Sequence, residues 1–145
     1  MSTLWTAEDS IETWLSTELN SLADATNSSA SAAKSNDASS TERRLYANIE
    51  IYIAAQGSAR ATDAVVSVYL IPEVDDTNYG DTTNYYNYHV GTVKLDAATT
   101  ARYNIIRNVL LPPSDFKVLL RNDTGQALAS SGNTVKAKRF SVEDV

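Results

Sequence analysis

The side chains able to do chemistry are few in this sequence, and their spacing matches no catalytic pattern. Histidine occurs once, at His89, and cysteine is absent. A Ser-His-Asp triad would have to use His89, yet no nucleophile elbow or other local signature is present. Zinc sites built on cysteine or on two histidines are excluded by composition. Gly57, Gly80, Gly91, Gly125 and Gly132 stand in or beside turns and strand ends, so no glycine-rich loop is available to cradle a phosphate. No catalytic residue, metal ligand or cofactor is assigned, and the protein is read as a non-enzyme. His89 reads as a packed or surface residue of a strand.

Two clusters remain. Glu73, Asp75, Asp76 and Asp81 lie close together with Asn78 among them. Oxygen ligands of this type can hold calcium, but the EF-hand spacing fails, because Tyr86 stands where the last glutamate belongs if Asp75 is first. Acids grouped in a loop are ordinarily just solvated. The second cluster is aromatic: Tyr79, Tyr85, Tyr86 and Tyr88 fall within ten residues of a chain that has 8 tyrosines. Tyrosine offers a large contact area with a polar tip, which suits interfaces. These rings could meet a partner protein, cover the end of their own domain, or stack on sugars.

Charge narrows the partners. The net charge is −6, so phosphate backbones are repelled and no nucleic-acid partner is expected. Lys136, Lys138 and Arg139 form the one basic cluster, read as a charged strand edge that blocks unwanted pairing or as a phosphate or membrane patch. No apolar run approaches the roughly 20 residues of a membrane span. The start carries Glu8, Asp9 and Glu12 with no early Lys or Arg, so a secretory signal is not expected. Absence of cysteine fits assembly in a reducing cytoplasm.

The elements that must position these residues are mostly strands. At residues 4–23, Leu4, Ala7, Ile11, Trp14, Leu15, Leu19 and Leu22 have helical spacing, interrupted by Glu18, and predict a short amphipathic helix with Trp5 off the stripe. A helix this short needs a surface, either its own domain or a neighbour. Residues 23–44 hold no aromatic and no branched aliphatic side chain; they read as a flexible arm, with a weak strand possible if neighbours supply the packing. From residue 45 the period becomes two. Strands are predicted over 45–54, 64–71, 88–95, 102–111, 116–121, 126–130 and 135–140, the last two as a hairpin around Ser131-Gly132-Asn133. All 3 prolines fall between strands. The expected architecture is a mostly β, antiparallel, jelly-roll-like β-sandwich over 45–145, preceded by a helix and arm over 1–44.

Certain stretches carry a resemblance. Residues 57–61 (GSARA) lead into 65–72 (VVSVYLIP) and 75–79 (DDTNY); later come 111–117 (LPPSDFK) and 121–135 (RNDTGQALASSGNTV). Over about residues 43–140 the sequence resembles small virion structural proteins of tailed bacteriophages, those of the capsid decoration, or cement, type above all. The resemblance implies a β-sandwich on the capsid surface of a virion, assembled in the host cytoplasm. It further implies docking on the major capsid protein, often as a homotrimer, without nucleic acid or membrane. A head-fibre or tail-associated carbohydrate-binding module for host attachment is the alternative. The residues expected to meet the partner are Leu4, Trp5, Ile11, Trp14 and Leu15 of the first segment, with Tyr79, Tyr85 and Tyr86 of the loop.

Overall fold

A computed structural model describes residues 2–37, 39–41 and 43–144. Ala38 and Glu42 of the expected arm lie outside the described residues. The described residues contain β1 (Thr3–Trp5), β2 (Glu12–Leu15), β3 (Thr26–Asn27), β4 (Tyr46–Ile53), β5 (Val65–Pro72), β6 (His89–Lys94), β7 (Arg102–Leu110), β8 (Phe116–Asp123), β9 (Thr134–Phe140) and β10 (Val142–Asp144). One four-stranded antiparallel sheet has the order β2-β9-β4-β7, the other β3-β8-β5-β6, and β1 pairs with β10 in a separate ribbon.

Alternation explains the centre of the first sheet. Ala47, Ile49, Ile51 and Ile53 are buried, while Tyr46, Asn48, Glu50 and Tyr52 face outward. In β5 the pattern is different: six consecutive residues are buried, because both faces of the strand are covered. Val66, Val68 and Leu70 meet Ile49, Ile51 and Ile53 in a core shared by the two sheets. Gly91 and Ile106 bring β6 and β7 close at the open side of the sandwich. A Cβ at position 91 would lie 2.6 Å from Ile106 Cδ1, so only glycine admits that side chain.

The helix expected over residues 4–23 is absent. The segment forms β1, β2 and a 3-10 turn at Thr17–Leu19. The helical stripe splits: Trp14, Leu15 and Leu19 enter the core, whereas Leu4 and Ile11 stay exposed. An irregularity between Thr13 and Leu15 lets the adjacent Trp14 and Leu15 both point inward. A short Ser/Thr-rich segment gains little as a helix, and the edge of β9 offers it a ladder.

The expected arm is laid along β8, and β2 and β3 belong to the two main sheets, so no division falls at residue 44. Ser28 N–H donates to Leu120 O at 2.8 Å, Ser31 N–H to Val118 O at 2.9 Å and Lys34 N–H to Phe116 O at 2.7 Å. In return Ser28 Oγ and Ser31 Oγ accept from Leu120 N and Val118 N. Serine hydroxyls thus stand in for backbone carbonyls, and the segment needs no apolar side chains to dock. Asn36 secures its far end: Nδ2 donates to Pro112 O and Arg44 O, and Oδ1 accepts from Arg44 N.

The hairpin expected at 126–140 is also replaced. β9 lies between β2 and β4, and residues 126–130 form no strand. Asn122 holds that loop instead, donating to Leu22 O, Ala23 O and Gln126 O. Leu128 is buried in the core, and its N–H donates to Leu22 O.

Candidate interaction surface

The outer faces of the two sheets are treated differently. On the second sheet, Tyr69, Ile71 and Leu119 point away from the core, and the tyrosine-rich loop folds back over them. Tyr85 is buried against Tyr69, the ring centroids 4.7 Å apart at 87°. Tyr85 Oη accepts from Arg121 Nη1 at 3.0 Å. Tyr79 and Tyr88 pack on the same cluster, and Lys117 Nζ lies 4.2 Å from the centre of the Tyr79 ring. Burial pushes the Tyr69 and Tyr79 hydroxyls above their ordinary range. Of the three expected contact residues here, Tyr85 and Tyr79 serve their own domain; Tyr86 is exposed, its ring stacked on Tyr85. Gly80 permits this fold-back, since a Cβ there would enter the Tyr88 ring.

Among the described residues, no such loop covers β7 on the outer face of the first sheet. Tyr103, Ile105 and Leu110 of β7 are 70%, 56% and 65% exposed. Trp5 reaches from the ribbon onto this face, with ring centroids 5.3 Å from Phe140 and 6.2 Å from Tyr46. A groove of about 540 Å³ runs between Trp5 and Ile11 on one side and Ile105 on the other. Its floor is charged: Glu50 lies opposite Lys136 in the ladder, and Glu8 accepts from Asn48 and pairs with Lys138 at 3.5 Å. Leu45 is also exposed, next to Leu111 through a backbone bond at the ribbon end.

Of the residues expected in the first segment, the structure therefore brings Trp5 and Ile11 to one surface and leaves Leu4 exposed beside them on the ribbon. Trp14 and Leu15 are corrected to core positions: Trp14 is 2% exposed and packs edge-on to Phe116. Tyr103, Ile105 and Leu110 went unassigned. The signal was present, since two large apolar residues sit at alternate, outward positions of β7, but period-two spacing does not say which face is bare.

The basic cluster is neither an edge nor a patch. β9 is an interior strand, and Arg139 points inward, bound to Glu12 Oε2 at 2.9 Å and to Ser35 O. The acidic loop turns its carboxylates on its own backbone. Asp75 accepts from Asn78 and Thr77, and Asp81 from Thr83; both carboxyls are held below the usual range by these bonds. Among the described residues no group of three or more His, Cys, Asp or Glu side chains is placed to hold a metal. His89 Nε2 lies 2.7 Å from Thr92 Oγ1, and that hydroxyl lies 2.7 Å from Ser67 Oγ, so threonine separates the imidazole from the serine.

No protein-family model matches the chain, and no characterised protein is significantly similar to it.

Proposed function

We propose that this protein is a non-catalytic virion structural protein of a tailed bacteriophage that decorates the assembled head. It docks on the major capsid protein through the ribbon end of its bare sheet. The observation that carries the docking is the exposure of Trp5, Ile11 and Ile105 along one groove, with exposed Leu110 opposite Tyr46 on the same face, while the opposite face is sealed by its own loop. The sequence resemblance supplies the phage context. The order of strands in the two sheets supports it as well: from β2 to β9 each connection except the β5–β6 hairpin passes between the sheets, as in a jelly roll, an architecture used by capsid and lectin domains.

The energetics suit a partner that is presented many times over. Covering on the order of 300 Å² of apolar surface is worth roughly 7 kcal/mol gross at about 25 cal/mol per Å². Lost translational and rotational freedom removes much of that. A single copy then binds modestly, and linked copies on a particle bind firmly.

A second reading is a fibre- or tail-associated module that binds host carbohydrate. It is favoured by the Tyr86 ring, 67% exposed on the Tyr85 ring and flanked by exposed Asn84 and Asn87. Binding isotherms on purified capsids lacking the protein separate the two. Decoration predicts saturable binding by the intact chain and by Tyr86→Ala, and strong loss for the pair Leu4→Ser and Trp5→Ala. Capsids left bare by every form, with glycan binding abolished by Tyr86→Ala, would establish the second reading instead.

A further inference from the structure

The edge strand β7 has features that the docking surface does not use. It ends the first sheet, so alternate residues present their N–H and C=O groups outward with no strand beyond among the described residues. The other edges of the two four-stranded sheets are blunted. β2 is short and irregular, and Lys34 Nζ reaches Thr13 O beside it. The far side of β8 is taken by β3 and the serines that follow. β6 carries Gly91 and Lys94 and shifts register between Val68 and Tyr69 of its neighbour.

The regular part of β7 is five residues, Arg102 to Ile106. The ladder with β4 breaks beyond Ile106, where Asn48 faces both Arg107 and Asn108, and Asn108 adopts φ 55°. The middle residue of the five is Asn104. Its Nδ2 is buried and has no hydrogen-bond partner. A buried amide without a partner costs free energy comparable to a lost hydrogen bond. The amide can turn about χ2, a soft torsion, to face the edge.

We propose that β7 pairs antiparallel with β7 of a second copy, about a two-fold axis through Asn104. In that register Asn104 faces Asn104, and each Nδ2 gains the other amide oxygen as acceptor. Tyr103 faces Ile105 twice, an aromatic and β-branched pairing that stabilises antiparallel ladders. Arg102 faces Ile106, so no like charges oppose each other. Two first sheets become one sheet of eight strands. Five paired residues cover less than the ~1,600 Å² of a standard stable interface, so the dimer dissociates on dilution. This pairing makes a dimer in place of the threefold assembly that the resemblance implies, and it stands independently of what the ribbon end binds.

The test is sedimentation of the full chain with single-site variants. Wild type is expected to move from monomer to dimer with concentration. Asn104→Asp puts two carboxylates on the axis and is expected to weaken association about tenfold or more at neutral pH, read well below the variant's own melting temperature. The chain has no cysteine, so introduced thiols report cleanly. Oxidised Asn104→Cys is expected to form a covalent dimer. Tyr103→Cys is expected to cross-link with Ile105→Cys in a mixture and not with itself. A wild type that stays monomeric when concentrated, a trimer indifferent to Asn104→Asp, or cross-linking of Tyr103→Cys with itself would each overturn the pairing. A dimer that leaves capsids bare would keep the pairing and remove the decoration reading.

Discussion

Arg139 and Glu12 are joined across the junction of β9 and β2, with Arg139 Nη2 2.9 Å from Glu12 Oε2 and the arginine side chain 2% exposed. The same oxygen accepts from Trp14 Nε1 at 2.8 Å. One carboxylate therefore holds an inward arginine and an inward tryptophan. Glu12→Ala removes a charged hydrogen-bond acceptor from the buried guanidinium and from Trp14, and should cost about 2–4 kcal/mol in urea unfolding. Arg139→Met should cost less, because the released carboxylate can reach water. Equal losses would show that the pair matters only as packing.

Asp96 sets an acid limit. Arg102, and after it Arg60, hold its carboxyl down at about 2 through hydrogen bonds. Arg60 has no exposed side-chain surface, so Asp96 is its link to the wet side. The folded pKa lies below the unfolded value of about 3.9. The contribution is thus full above pH ~4 and is lost as pH falls toward about 2. Thermal melts of wild type should decline across that window. Asp96→Asn should be less stable at neutral pH and lose less on acidification; parallel curves would refute this.

Gly91→Ala should destabilise by about 1–3 kcal/mol, because the new methyl would sit 2.6 Å from Ile106 Cδ1. Ile106→Ala opens that space at a cost of its own. The double variant should be more stable than the sum of the two losses predicts, by a coupling of about 1 kcal/mol or more. Additive losses would mean that the sheets do not approach there as described.

Tyr85→Ala removes the ring that covers Tyr69 and Leu119. Stability should fall by about 3–5 kcal/mol, as for other large buried rings. Proteolysis should then cut first between residues 73 and 88. Tyr85→Phe keeps the ring and loses the hydroxyl that accepts from Arg121, so it should lose about 1 kcal/mol and remain resistant to cleavage.

The central strands were legible because β4 has a dry face and a wetter one and β5 is a short apolar run closed by Pro72. Ile49, Ile51 and Ile53 alternate with polar or aromatic neighbours, and Pro72, Pro112 and Pro113 mark ends. The first 44 residues were not legible for the same reason. Trp14 and Leu15 are adjacent yet both buried, at an irregularity of β2 that no simple period describes. Ser28 and Ser31 dock by hydroxyl groups, leaving no hydrophobic period to read. Their three-residue spacing against two-residue steps of β8 was the available signal. For the surface, aromatic content pointed to Tyr79 and Tyr85, but burial against Tyr69 is a tertiary fact. Trp5 and Ile11 stayed on the surface although the helix meant to carry them does not form.

Strand order also fixes when this molecule can fold on the ribosome. β1 waits for β10, β2 for β9 and β3 for β8. Thr26 pairs with Asn122, so the early strands emerge long before their partners. At about 5–20 residues per second the delay is roughly 5–20 s. During it Trp14, Leu15 and Leu19 have no core to enter. β4 and β5 must likewise wait for β7 and β8 before their sheets take shape. The early strands therefore stay unpaired, and their apolar side chains unburied, until β8 and β9 have been made.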